Sequence, residues 1–384
     1  MTADLLGSLE ASQKKLLATL CDLPAEDCYK QYHPDLSPLA WHLGHCAFIE
    51  AYWIREVVLG NNTLTEPIKS LYFPWLSPKT ERARRMPGYL EQLKFSRTLF
   101  DEHLEILQRL TDREKDHKLL NNNYLLHFLL QHNYQHLETM EQVLHQRAYQ
   151  LKWEYSVSGT IEPDSYCVSS YLFVADEMEF GSGQPQLAFD NERPIYSARL
   201  EAFALGQRAV SNAEYLGFMK SGGYTERHYW SETGWQQLQT CQLSAPESWR
   251  QDDQGNWYCL TAAGPSELQP QDSVDGINLF EAQAFAKYAG GRLPHEHEWE
   301  YATSHHDQQT SQAWVWCCNA FFPYPGFEPY PYDGYSLHWF DGKHHTLRGG
   351  SRHTAVPIRR PSFRNFYTPE KRHVFAGVRV AFDL

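Results

Sequence analysis

The residues whose type and spacing offer the clearest chemistry are His132 and His136, in the run Gln131-His132-Asn133-Tyr134-Gln135-His136. Four positions apart on a helix, two imidazoles lie one above the other on a single face and can converge on one metal ion. The spacing alone is a weak signal, because the chain holds 19 His and such pairs arise by chance. A third imidazole strengthens it. His45 falls on the apolar stripe of an earlier helical segment, and taken alone it reads as a hydrogen-bonded core histidine with His42 as its solvent-facing neighbour. Set beside His132 and His136, it reads as the third nitrogen of a metal site.

The elements that must position these imidazoles are helices. Leu5, Leu9, Leu16, Leu17 and Leu20 make an apolar face over about Asp4 to Leu23, with Lys14 and Lys15 outside. Ser37 is the expected N-cap of a second helix, with Pro38 at its first helical position, running through Trp41, His45, Phe48, Ile49 and Tyr52 to Gly60. A loop with four prolines is expected over Asn61 to about Tyr89, carrying Glu81-Arg82-Ala83-Arg84-Arg85. Such a charged run is usually a solvated face, but it can also deliver guanidinium groups to a carboxylate. A third helix follows over about Gly88 to Leu110. A fourth, from Asn121–Asn123 to about Gln146, shares one face among Leu125, Phe128, Leu129, His132, His136, Met140 and Val143. Four helices with inward histidines make a metal-binding bundle.

Helical periodicity stops near Tyr149, and short runs broken by Gly, Pro and Ser take over. The reading is two domains, residues 1–155 and residues 165–384. The second is an α+β domain rich in loops, with two clear helices, Ser211 to Ser221 and Leu279 to Ala289. Lys plus Arg is 34 against Asp plus Glu 47, a net charge of -13, which disfavours a nucleic-acid partner. Residues Met1 to Lys15 lack a signal peptide's basic start and apolar core, and no window reaches the apolar length of a membrane span. A cytoplasmic location and no membrane partner are the expectation. Eight scattered Cys without a Cys-x-x-Cys pair speak against a disulfide framework or a structural zinc site.

Asn278-Leu279-Phe280-Glu281-Ala282 and Gly290-Gly291-Arg292-Leu293-Pro294-His295-Glu296-His297-Glu298-Trp299-Glu300 resemble the formylglycine-generating-enzyme (sulfatase-modifying factor) domain. Leu347-Arg348-Gly349-Gly350-Ser351 and Ala376-Gly377-Val378-Arg379-Val380 match the same domain, and the helical third resembles a DinB-like domain. Together, across nearly the whole chain, the two resemble the ergothioneine-synthase family, the hercynine-dependent sulfoxide synthases. The resemblance implies a DinB-like four-helix bundle followed by a formylglycine-generating-enzyme-like, C-type-lectin-like α+β domain. It implies a mononuclear non-haem Fe(II) on His45, His132 and His136, with dioxygen as co-substrate. Neutral imidazoles suit Fe(II), and three ligands leave positions for a thiolate and dioxygen. Glu50 or Glu138 in place of one imidazole would make a two-His, one-carboxylate triad instead. The implied reaction joins a thiol, cysteine or γ-glutamylcysteine, to C2 of the imidazole of hercynine and leaves a sulfoxide.

By the same resemblance Tyr332, with Tyr335 beside it, supplies a proton, although both also read as packing tyrosines. Asn365 and Phe366 line the hercynine pocket, Phe366 offering a cation–π face to the trimethylammonium. Gln135 reaches the substrate from beside His136, and Arg82 with Arg85 takes the carboxylate of the thiol partner. Two departures bear on the donor. Tyr367 stands where some relatives carry an acidic residue that holds the glutamyl amine, and the usual Trp-Glu-Trp-Thr segment reads Trp314-Val315-Trp316-Cys317-Cys318. A selenosugar, as in the related selenoneine synthases, is therefore an alternative donor. Three rivals differ in outcome. A formylglycine-generating oxidase needs a C-terminal cysteine pair, and no Cys follows Cys318. Ovothiol-type relatives use histidine and usually carry a further methyltransferase domain, for which there is no room. A non-catalytic, metal-stabilised binding module would show no oxygen-dependent turnover and would tolerate Tyr332→Phe.

Overall fold

The computed structural model describes residues 3–111, 114, 116–167, 169–305 and 312–384. It divides into two compact units, Met1–Gln150 and Leu151–Leu384.

The first unit is built on four long helices, α1 (Ala3–Cys21), α2 (Leu39–Ala51), α3 (Tyr89–Arg109) and α4 (Tyr124–Tyr149). Their apolar stripes meet in one core that includes Leu16, Leu20, Leu39, Leu43, Leu99, Phe100, Met140 and Val143. Each such side chain contributes about 1.5–3 kcal/mol on burial. Every residue of α2 is buried, and the helix continues as a π-helical segment over Tyr52–Val58. It starts at Leu39, with no side-chain cap. The Ser37 hydroxyl, expected to cap it, instead accepts from Arg82 Nη1. The expected loop also holds short helices at Lys69–Tyr72 and Lys79–Arg85.

The second unit is α+β. Strands β1 (Ser170–Phe173), β2 (Asp176–Phe180), β3 (Tyr196–Leu200) and β4 (Phe203–Gly206) open it, and β5 (Trp249–Gln251), β6 (Trp257–Thr261) and β7 (Gly264–Glu267) form an antiparallel meander. Then come β8 (Trp314–Ala320), β9 (His345–Arg348), β10 (Asn365–Tyr367), β11 (Ala376–Gly377) and β12 (Ala381–Asp383). The central sheet runs β10-β9-β8-β11, a second runs β1-β4-β12, and β2 pairs with β3. The unexplained Trp314-Val315-Trp316-Cys317-Cys318 run is β8. Trp314, Trp316 and Cys317 are buried while Cys318 is exposed, beside an irregularity in the pairing of β8 with β9 between Trp316 and Ala320.

Both expected helices are present, α5 (Asn212–Lys220) and α7 (Leu279–Tyr288), each opened by a capping box, Ser211 with Glu214 and Asn278 with Glu281. Two more were not expected, α6 (Glu232–Cys241) and α8 (Glu296–His305). The inward positions of α8 include Glu296, Glu298 and Glu300. Carboxylates on the buried face hide the helix from a hydropathy pattern.

Candidate metal centre

His45 on α2 and His132 and His136 on α4 each bring one ligand nitrogen within 4.8 Å of the other two. His45 is buried, while His132 and His136 are half-buried. The four-residue spacing on α4 brings its two rings together, tilted to each other by 54° with centroids 4.5 Å apart, and α2 supplies the third, 4.7 Å from the His136 ring. His45 Nε2 and His132 Nε2 face each other at 3.2 Å. Imidazole nitrogens at that distance need a proton or a cation between their lone pairs.

Two neighbours hold His45, the Tyr72 carbonyl and the Trp41 ring. Its Nδ1–H donates to the Tyr72 backbone carbonyl at 2.7 Å, which leaves Nε2 as the lone pair. Its ring stacks on Trp41 at 4.6 Å and 11°, and the Trp41 indole donates to the preceding carbonyl, Leu71, at 2.9 Å. The Arg82 guanidinium lies on the Trp41 ring at 3.6 Å. Burial pushes all four histidines here below the ordinary value: His42 to about 3, His132 to about 4, and His45 and His136 well down. Desolvation keeps the imidazoles neutral, the form that ligates a metal.

His42 was not expected in this cluster. It is buried at 4% exposure, with Nδ1 2.9 Å from His136 Nδ1. The signal for it was present, since His42 and His45 are three residues apart on one helix and therefore neighbours on its surface. Glu50, weighed as a replacement ligand, is committed elsewhere. It is fully buried and accepts from Gln13 Nε2 at 2.8 Å and Asn133 Nδ2 at 3.0 Å. Glu138 is buried on α4 and is not a member of the three-histidine cluster.

Of the arginine pair, Arg82 is 3% exposed. Its Nε donates to the Ser77 carbonyl at 2.9 Å, Nη2 to the Pro74 carbonyl at 3.2 Å and Nη1 to Ser37. Those bonds fasten the loop onto α2, so Arg82 does not present its fork to solvent. Arg85, one helical turn on, is exposed and donates to Ser70 Oγ at 3.0 Å. Gln135 is half-buried, beside His136 on α4.

The remaining expected site residues belong to the second unit. Tyr332 and Tyr335 are half-buried, and Tyr335 stacks on Phe189 at 4.2 Å. Asn365 opens β10, and its side-chain oxygen accepts from the Phe366 N–H at 2.9 Å. Phe366 stacks on Phe321 at 4.3 Å, with Trp339 6.0 Å away. The preceding residue anchors this edge. Arg364 is buried and grips both Glu296 oxygens at 2.8 Å, with further bonds to the Asn191 and Phe322 carbonyls. Arg348 lies 3.0 Å from Glu296 and donates to Glu300 at 2.6 Å. Burial would raise the Glu296 carboxyl, but Arg364 and Arg348 outweigh it and hold it at about 2.

Comparison with known proteins gives the same two parts. Residues 8–140 match the DinB superfamily, and residues 173–320 match the sulfatase-modifying factor enzyme 1-like domain. A hercynine oxygenase of Mycolicibacterium thermoresistibile is 29% identical over 95% of this chain and 92% of its own. Ergothioneine biosynthesis protein 1 of Schizosaccharomyces pombe is 28% identical over 50% of this chain and 27% of its own. The formylglycine-generating enzyme of Streptomyces coelicolor, 29% identical, aligns with 32% of this chain and 41% of its own. The first of these therefore aligns across both parts of the chain. Over nearly its whole length the chain is a homologue of the hercynine oxygenases, an enzyme that joins a DinB-superfamily domain to a sulfatase-modifying-factor-like domain.

Proposed function

We propose that the protein is an iron(II)- and dioxygen-dependent enzyme of ergothioneine biosynthesis that joins a thiol to C2 of the hercynine imidazole and leaves a sulfoxide. The observation that carries this reading is the convergence of three buried-to-half-buried neutral imidazoles, His45, His132 and His136, in the DinB part of a chain whose full-length relative is named for hercynine. The donor set fits the ion. Three neutral nitrogens, with the nearby carboxylate Glu50 already bonded to two amides, suit a divalent first-row metal and leave room for exogenous ligands. When bound, iron supplies dioxygen activation and a seat for the thiolate.

The chain's own groups do the rest. Tyr332 gives up a phenolic proton during turnover. Phe366 offers its face to the trimethylammonium and Asn365 its amide to the amino-acid end of hercynine. Gln135 orients the substrate from α4, and Arg85 takes the carboxylate of the thiol partner while Arg82 holds the loop that presents it. Cysteine is the favoured thiol over γ-glutamylcysteine, because Tyr367 offers no anion to a glutamyl amine. The location that goes with this chemistry is the cytoplasm; among the described residues no helix is long and apolar enough to cross a membrane.

The test is a mass-spectrometric assay of Fe(II)-loaded protein under air. Hercynine or histidine is offered in turn with cysteine, γ-glutamylcysteine or a selenosugar. The expected product is a hercynine–cysteine sulfoxide. A selenium adduct alone would reassign the enzyme to carbon–selenium bond formation, and no adduct from any pair, with iron bound, would leave the binding-module reading.

A further inference from the structure

His42 makes a contact that the three-ligand assignment does not use, and the role inferred for it rests on that assignment. His42 Nδ1 and His136 Nδ1 are 2.9 Å apart. Two ring nitrogens approach that closely only when one carries a hydrogen and the other a lone pair. If His42 is the donor, the His136 hydrogen sits on Nε2 and no lone pair is left to ligate a metal. If His136 is the donor, its Nε2 is free to ligate and His42 is the acceptor. Only the second arrangement is compatible with His136 as a ligand.

We infer that His42 is a positioning residue: it accepts the Nδ1–H of His136 and so selects the ligating tautomer and the ring orientation of that imidazole. His45 has the same device in another form, its Nδ1–H being taken by the Tyr72 carbonyl at 2.7 Å. His132 has none, for its Nδ1 is buried without a partner. His42 is itself held, buried at 4% exposure and edge-on to the Trp41 indole at 5.5 Å and 80°. In the accepting state its own hydrogen lies on Nε2, a buried atom with no partner. The acceptor behind a ligating imidazole is ordinarily a carboxylate, a backbone carbonyl or water. Here it is a neutral ring, which orients His136 without placing a negative charge behind it.

The bond count suggests the decisive variants. Asn Oδ1 and Asp Oδ1 stand the same number of bonds from Cβ as His Nδ1, so either restores an acceptor at the same depth, whereas Phe keeps the ring and removes the acceptor. Apo protein is titrated with Co(II), read by its absorption bands, and with Fe(II) under anaerobic competition with a chelator. His42→Phe is expected to weaken binding by about 10–100-fold, His42→Asn to stay near wild type, and His42→Asp to bind at least as tightly. In the Zn(II)-loaded wild type, long-range ¹H–¹⁵N correlation should place the hydrogen of His136 on Nδ1. Wild-type affinity in His42→Phe overturns the inference, as does a loss in His42→Asn equal to that in His42→Phe, or a hydrogen found on His42 Nδ1. The underlying assignment fails by a different result: no metal uptake by the wild type, or undiminished uptake by His132→Ala.

Discussion

At Gly44 the lack of a side chain decides where its neighbour His45 can point. A Cβ there would lie 2.4 Å from Tyr72 Cε1 and 2.6 Å from Gln92 Nε2. The Tyr72 ring packs into that space, its hydroxyl donates to Gln92 Oε1 at 2.6 Å, and its carbonyl receives His45 Nδ1–H. Gly44→Ala should therefore cost about 1–3 kcal/mol through overpacking and also weaken Fe(II) binding by displacing that carbonyl. Thermal melts and metal titration of one preparation check both effects; a variant that melts lower but binds iron normally would show that Tyr72 is not needed to orient His45. His132→Ala should lose iron and activity together, while Tyr332→Phe should keep iron and slow or divert the reaction. Full iron stoichiometry in each of the three His→Ala variants would sink the ligand assignment. The i, i+4 pair on α4 was legible because its neighbours are set by helix geometry alone. The occupied state of Arg82 was not, because its acceptors are the Ser37 hydroxyl and the Pro74 and Ser77 carbonyls, whose directions no spacing rule supplies.

Among the elements, the four long helices are joined at one buried polar knot. Glu50 of α2 accepts from Gln13 of α1 and Asn133 of α4. Asn133 also donates to Ser12 Oγ of α1 at 3.1 Å, and His103 of α3 approaches Glu50 at 3.4 Å. Asn133 is the residue after His132, so the knot fixes the rotation of α4 next to the face that carries His132 and His136. Glu50→Ala leaves two buried amides without their acceptor, at about 1–3 kcal/mol each. Chemical denaturation should show that loss, with Glu50→Gln costing less because its carbonyl still accepts. Equal stability of the Ala variant and the wild type would mean the knot is dispensable. Polar knots of this kind break the hydropathy pattern that reveals helices. Glu50 read as a spare metal ligand, and the carboxylates of α8 concealed that helix altogether.

Across the whole molecule, two kinds of chemistry are stabilised differently. The first unit gathers neutral imidazoles; the second rests on buried ion pairs around Glu296, with Arg364 and Arg348 fully buried beside it. The folded Glu296 carboxyl titrates at about 2 against an ordinary 4.5. Its contribution to stability is therefore complete above the unfolded value and drains away as the pH falls from 4.5 towards 2. Melting temperature followed over that range should fall less steeply in Glu296→Gln than in wild type, since the variant has already lost the titrating group. Parallel slopes would assign the acid sensitivity to other carboxylates.

Residue order alone was enough for the helical-then-mixed architecture, because amphipathic periodicity and its disappearance near Tyr149 are local properties. It was enough, too, for the pairing of His132 with His136, since helix pitch fixes that separation, and the long motifs around Arg292 and Arg348 were sufficient for the resemblance to the synthases. What needed the tertiary structure were the relations across elements: His42 behind His136, Tyr72 behind His45, Arg82 folded onto Trp41, and Glu50 drawn into a knot. Each depends on which donor meets which acceptor when separate helices pack. That choice is made by burial, where most polar groups must find a partner, and a one-dimensional pattern carries no record of it.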